Sequence, residues 1–420
     1  MKPKLQLLVV IVALVLSTLL YMPVSVQELV FKRALWSPLE SEVIRFYNKV
    51  FNISEVDVAK RTWFNLQAWS TIRSGGCVYV LPQLDYKFTA WGEIPAPPLT
   101  TLTWLAMTYV ALALSGSYAS PLFVATLYAI QSAITLVCVI MFYSRTVFKR
   151  RDYVYPPLLV SVLFMAPYSI EVFSLMLVAQ AIVEIENNKF SRAVAYIGLA
   201  SGFNYFLTTL FILLLFKFLA RDRVYVSPLA VLSAVIPYLV VTLINPYYYS
   251  WIVSALLTPQ NSLGLGNLLS ELLGVQVGYK VIAGVWLTLL FVLTSLMPQE
   301  SSVHGEYIVY TALLLSVLDS GGYPYTLLPL LAASTALGST PTNIYLLVEF
   351  TNALTHILYV KVDSLASLLA LVGIRIPLNV FSLENPIQWV AQLRNSIVLA
   401  LVTSNLLEVL RRAHTTKIST

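Results

Sequence analysis

Pro121-Leu-Phe-Val-Ala-Thr-Leu-Tyr-Ala-Ile-Gln-Ser-Ala-Ile-Thr-Leu-Val-Cys-Val-Ile-Met-Phe-Tyr143 carries no charged side chain and runs into a basic cluster, Arg145 to Arg151. At ~1.5 Å of rise per residue, such a run covers the ~30 Å hydrocarbon core of a bilayer. Leu5 to Met22 repeats the pattern behind Lys2 and Lys4. The whole chain follows suit. Of its 420 residues, 58% are hydrophobic and 11% charged, and the mean hydropathy is +0.78. A soluble domain carries about 25% charged residues, so this chain has too few to cover a water-facing surface. Lipid is therefore most of its solvent.

The net charge of +6 does not point to nucleic acid. The basic residues sit in short connectors at 145–151, 189–192, 221–223 and 411–417, the pattern of cytoplasmic loops. Cys77 and Cys138 lie in a polar region and an apolar run respectively, which argues against a disulfide framework. His304, His356 and His414 are too dispersed for a metal centre, and the sequence has neither a glycine-rich phosphate loop nor a nucleophile elbow.

The chain reads as one transmembrane domain over 1–420: a first helix at 5–22, an external loop at 23–98, a helical bundle at 99–410 and a cytoplasmic tail at 411–420. No small-x-small cleavage site follows Met22, so the first helix is expected to be retained. In the external loop, Ser37-Pro38-Leu39-Glu40 and Ser54-Glu55-Val56-Asp57 predict two capped amphipathic helices, the second ended by Gly75-Gly76. Asn52-Ile53-Ser54 is a glycosylation sequon, compatible with an outside location.

Keeping every basic connector cytoplasmic leaves one crossing between Pro98 and Arg145. Leu99–Leu114, at about 16 residues, is the shorter candidate and is predicted to pack against the bundle without crossing. The remaining crossings come in pairs, beginning with Pro157–Ala166 and Val172–Ile185, then Ala193–Gly202 and Phe206–Leu219, and ending with Ser396–Leu410. Asn245–Lys280 and Asp363–Gln392 are expected outside. The fold class is an all-α polytopic membrane protein with about twelve crossings and both termini inside. No internal repeat favours an inverted-repeat transporter.

Chemistry concentrates in Leu84-Asp85-Tyr86-Lys87-Phe88-Thr89-Ala90-Trp91-Gly92-Glu93-Ile94-Pro95-Ala96-Pro97-Pro98-Leu99-Thr100. Asp85 lies on a segment pinned by Pro82 and Pro95–Pro98. A carboxylate there suits a general base that deprotonates a sugar hydroxyl; a solvated loop acid is the plain alternative. Glu93 is its nearest rival, whereas Glu40 and Glu42 serve a helix cap and a solvated face. Lys280, Arg375 and Arg394 fall at predicted external helix ends, where they meet lipid headgroups or clamp a phosphate. Arg394 is favoured because it opens the predicted last helix after Gln388-Trp389-Val390-Ala391-Gln392. Glu349, Asn352 and His356 share one face of a predicted crossing, for interhelical hydrogen bonding or a proton relay.

Asp85-Tyr86-Lys87-Phe88-Thr89 followed by Pro97-Pro98-Leu99-Thr100 resembles the first external loop of GT-C superfamily glycosyltransferases, most nearly the PIG-M-type and related polyprenol-dependent mannosyltransferases. Ala179–Leu214, with its Glu186-Asn187-Asn188-Lys189 connector, resembles their middle section. Ala96 stands where the family often has tyrosine, and the Asp85–Pro97 spacer is shorter than the family's. The resemblance implies a GT-C-like bundle and inverting transfer of a hexose from a polyprenyl-phosphate donor to a glycan or lipid-linked acceptor. Asp85 would be the base, and Tyr86, Lys280, Arg375 and Arg394 would bind the substrate. Oligosaccharyltransferase relatives carry an acidic motif in the second external loop, so a divalent metal at Glu171 is the one cofactor to weigh. The rivals are a transporter or flippase of lipid-linked sugars and a non-catalytic scaffold of the same fold.

Overall fold

The computed structural model describes residues 3–35, 76–79, 88–91, 97–116, 121–146, 156–187, 189–219, 227–244, 263–265, 268, 272, 279–296, 304–318, 324–337, 342–371, 373–377 and 382–419. Helices dominate. They are α1 (Pro3–Tyr21), α2 (Val24–Phe31), α3 (Pro98–Ser115), α4 (Pro121–Arg145), α5 (Leu159–Met165), α6 (Ser174–Glu186), α7 (Phe190–Ser201), α8 (Phe206–Leu219), α9 (Ser227–Ile244), α10 (Tyr279–Ser295), α11 (His304–Leu318), α12 (Pro324–Leu337), α13 (Thr342–Val360), α14 (Val362–Leu371) and α15 (Pro386–Ser419). The one sheet among the described residues is a ribbon of β1 (Gly76–Tyr79) antiparallel to β2 (Phe88–Trp91), with Gly76 opposite Trp91. The sequence reading had no strand there.

Four described helices are long and apolar enough to cross a membrane: Lys4–Tyr21, Pro98–Ser115, Leu122–Arg145 and Pro386–Arg412. Their exposed apolar rows, with those of α9 and α10 (Leu243, Phe291), identify a membrane protein. Two of these helices depart from expectation. Pro98 at N1 and Gly116 in the left-handed conformation bound α3, giving 18 residues, so shortness does not argue against a crossing. The last helix begins at Pro386 rather than Ser396, because Asn385 Oδ1 accepts the Ile387 N–H at 2.9 Å and proline takes N1.

The centre of the bundle is built from short pieces. The expected Pro157–Ala166 crossing is the 7-residue α5, cut off by Pro167. Val172–Ile185 divides into a 3-10 turn, Ile170–Phe173, and the 13-residue α6. At ~1.5 Å per residue, α5 and α6 rise only about 10 and 20 Å. The core joins Met165, Val178, Ile182, Val194 and Ile197 to Leu213, Tyr310, Leu313 and Leu331, with alanines 179, 181, 193, 200, 312, 332 and 333 letting helices approach closely.

Helix α4 gives these pieces a ruler. Tyr143 donates to the Pro157 carbonyl, and Gln131 Nε2 to the Pro167 carbonyl at 2.8 Å. The stretch from 157 to 167 thus matches the second half of α4. The first ten residues of α4, about 15 Å of helix, run past the Pro167 turn. Helix α2 leans on this overhang, with Val26 and Tyr128 in one cluster and Ala125 packed against it. Helix α3 packs along α4 and starts at the 202–203 turn, where Leu99 N donates to Gly202 O at 2.7 Å and Thr100 Oγ1 to Phe203 O at 3.1 Å.

Candidate functional site

Two clusters of buried polar side chains link elements of this bundle among the described residues. The first lies where α15 crosses α13. Arg394, expected to open the last helix at its external end, is fully buried and lies eight residues into α15. The reason is the early start of that helix, which turns residue 394 toward the bundle. Its Nε and Nη2 both donate to Asn395 Oδ1, at 3.1 and 2.7 Å, and Nη1 donates to Asn352 Oδ1 at 3.1 Å. Asn352 Nδ2 in turn faces the Met165 sulfur at 3.6 Å. Asn395 Nδ2 donates to Leu263 O at 2.7 Å, and Gln392 Nε2 to Gly264 O at 3.2 Å. Part of the stretch expected wholly outside, 245–280, therefore carries buried backbone at Leu263–Gly264, its carbonyls met by α15 amides. Irregular backbone is tolerated at membrane depth only with such partners.

The α13 face runs on from Asn352. Glu349 Oε1 accepts the Leu158 backbone N–H. His356 Nε2 lies 2.7 Å from the Tyr21 hydroxyl, which donates its own hydrogen to Phe164 O at 2.5 Å. The phenol oxygen is left to accept, so the His356 hydrogen is on Nε2. The imidazole also stands edge-on to Tyr168, with centroids 4.5 Å apart. Glu349, Asn352 and His356 are each completely buried and reach α5, α15 and α1 in turn. One helix face thus clamps three neighbours, as the interhelical reading expects.

The second lies at the turn after α5. Glu171 is buried within that turn. Its Oε2 accepts from Asn204 Nδ2 at 2.8 Å, its backbone N–H goes to Ser169 Oγ at 3.2 Å, and Ser174 Oγ donates to its carbonyl at 2.6 Å. The carboxylate so ties the 169–174 turn to the 202–205 turn where α3 starts. Among the described residues, no three His, Cys, Asp or Glu gather where they could hold a metal ion. Glu171 serves here as a junction between turns.

Asp85, Tyr86 and Glu93 lie outside the described residues, although Phe88 and Thr89 of the same motif open β2. Lys280 is in the first turn of α10, where the backbone alone is described. Arg375 is exposed between α14 and α15. Sequence reasoning passed over Gln388, Gln392, Asn395, Asn204 and Tyr21. A signal existed for three of them: Gln388, Gln392 and Asn395 recur at i, i+4 and i+7 behind the Asn385-Pro386 cap. No family model, curated protein or solved structure matches the chain.

Proposed function

We propose that this chain is a multi-pass membrane glycosyltransferase of GT-C-like architecture, moving a hexose from a polyprenyl-phosphate donor to a glycan or lipid-linked acceptor on the extracytoplasmic side. The observation that carries the reading is Arg394: a guanidinium completely buried inside a candidate span, about 12 Å along the helix from its first residue. Ionisable groups at membrane depth mark substrate paths. Positive charge at 411–417 supports a cytoplasmic far end for α15, which would put Arg394 in the extracytoplasmic half.

The Nε/Nη2 edge of Arg394 donates to the amide oxygen of Asn395. It is the edge that a phosphate takes in a bidentate pair, once the Asn395 oxygen turns away. In the proposed reaction the acceptor hydroxyl oxygen bonds to the anomeric carbon as the carbon–oxygen bond to phosphate breaks. The hydroxyl proton passes to the Asp85 carboxylate, and polyprenyl phosphate leaves with its charge held by Arg394. One displacement inverts the anomeric centre. No nucleophilic side chain and no metal is called on.

Membranes containing the full chain, supplied with a radiolabelled polyprenyl-phosphate hexose, are expected to form a glycosylated product. Asp85→Asn is expected to lower the rate by at least about a hundredfold, the usual range for losing a general base. Full activity in Asp85→Asn removes that residue as base. Absence of product from the unaltered chain with every hexose tested overturns the reading.

A further inference from the structure

Gln388 is completely buried near the start of α15, yet neither its amide nitrogen nor its amide oxygen has a partner among the described residues. A buried carboxamide left unmet is costly, and more so in a bilayer, where no bulk water reaches it. Its neighbours on the same face are all engaged. Gln392 donates to Leu263 and Gly264 and accepts from Asn395 Nδ2 at 3.3 Å, and Asn395 closes on Leu263. Along one row of amides, those deeper in the helix are paired and the one nearest its start is not.

We propose that Gln388, at the N-terminal end of the Gln392–Asn395 row, is a binding group for the hydroxyls of the donor's sugar ring. The inference rests on the donor reading above and locates the uncharged part of that donor. A carboxamide offers two N–H donors and a carbonyl acceptor, the complement of adjacent sugar hydroxyls that each donate and accept. Both halves of the Gln388 amide are unmet, so a ligand group that donates and accepts at once fits it better than a simple anion or cation. Gln388 lies six residues before Arg394, about 9 Å along the helix. That axial rise is on the order of the length of a hexosyl phosphate, and the Arg394 guanidinium, which leaves the helix roughly 120° away from Gln388, is drawn to the same row by its bond to Asn395.

The test uses the full-length chain in lipid nanodiscs, titrated with a short-chain isoprenyl phosphate and with the same lipid bearing a hexosyl group on its phosphate. Gln388→Leu is expected to weaken the hexosyl-bearing probe about tenfold or more and to leave the bare isoprenyl phosphate within about twofold. Its thermal midpoint is expected to hold or rise, because an unmet buried amide has been replaced by an apolar group. If Gln388→Leu unfolds the chain, Gln388→Met, closer in shape, is read by the same criteria. Unchanged affinity for both probes overturns the sugar site and leaves the donor reading standing. Equal loss of both probes overturns it in favour of a structural amide. A wild-type chain that binds neither probe overturns the donor reading and this site together.

Discussion

Gly198 stands where α7 crosses α9. A Cβ placed there would lie 2.3 Å from Ser233 Oγ, 3.1 Å from the Phe211 ring and 3.2 Å from the Ala234 backbone nitrogen. The serine hydroxyl can rotate away, but the nitrogen belongs to a helix and cannot. Gly284, on α10, has nothing within 4 Å. The two glycines therefore test the packing with one chemical change. Gly198→Ala is expected to cost about 1–3 kcal/mol as an overpacked contact. Gly284→Ala is expected to be neutral or slightly stabilising, since alanine is the better helix former. Thermal unfolding of the two variants in the same detergent checks this, and equal midpoints would refute the close α7–α9 approach. Arg394 carries the same lesson about single residues. Its type marked it as a functional candidate from sequence, yet its burial depended on where α15 begins, and an Asn-Pro pair nine residues upstream decides that.

Helix α13 acts as a clamp, and one of its contacts can be isolated. Leu158 adopts φ +66°, a left-handed conformation that costs a non-glycine residue roughly 1–3 kcal/mol. Its N–H is held by Glu349, so the carboxylate steadies the strained entry to α5. Glu349→Gln keeps an acceptor at that point and is expected to leave both the fold and the proposed hexose transfer near wild type. Glu349→Leu strands the Leu158 N–H and is expected to cost about 1–3 kcal/mol. Thermal midpoints and assays of the proposed transfer on both variants separate this from a proton-relay role, in which glutamine abolishes function as fully as leucine does. The elements themselves were unequally legible. Long apolar runs announced α1 and α4 almost to the residue, because hydrophobicity sustained over a bilayer's thickness has few other causes. The central crossings misled for the same reason. Runs such as Pro157–Ala166 are apolar because protein surrounds them, and hydropathy does not distinguish burial in protein from burial in lipid. Where Pro167 cuts a helix after one or two turns, the punctuation carries more information than the hydropathy.

For the whole molecule, the sidedness of α3 follows from hydrogen bonds. By length and composition α3 could cross. Its first turn is tied to Gly202 and Phe203, and Asn204 is tied to Glu171 in the turn that follows Pro167. The Pro167 carbonyl meets α4 at Gln131, while the opposite end of that segment, Pro157, meets Tyr143 beside the basic 145–151 cluster. If that cluster is cytoplasmic, the Pro167 turn and the Pro121 end of α4 both face the other way. Helix α3 is then expected to begin and end on the extracytoplasmic side, packed along α4 as a wall beside the 169–174 and 202–205 turns. Cysteine labelling tests this without reference to activity. In a Cys77→Ser background, Ser115→Cys is expected to react with a membrane-impermeant maleimide on intact cells. Ser144→Cys, at the other end of α4, is expected to react only after the cells are permeabilised. If Ser115→Cys also requires permeabilisation, α3 crosses the bilayer, and the wall it forms beside Glu171 and Asn204 would have to be replaced by a full transmembrane hairpin with α4.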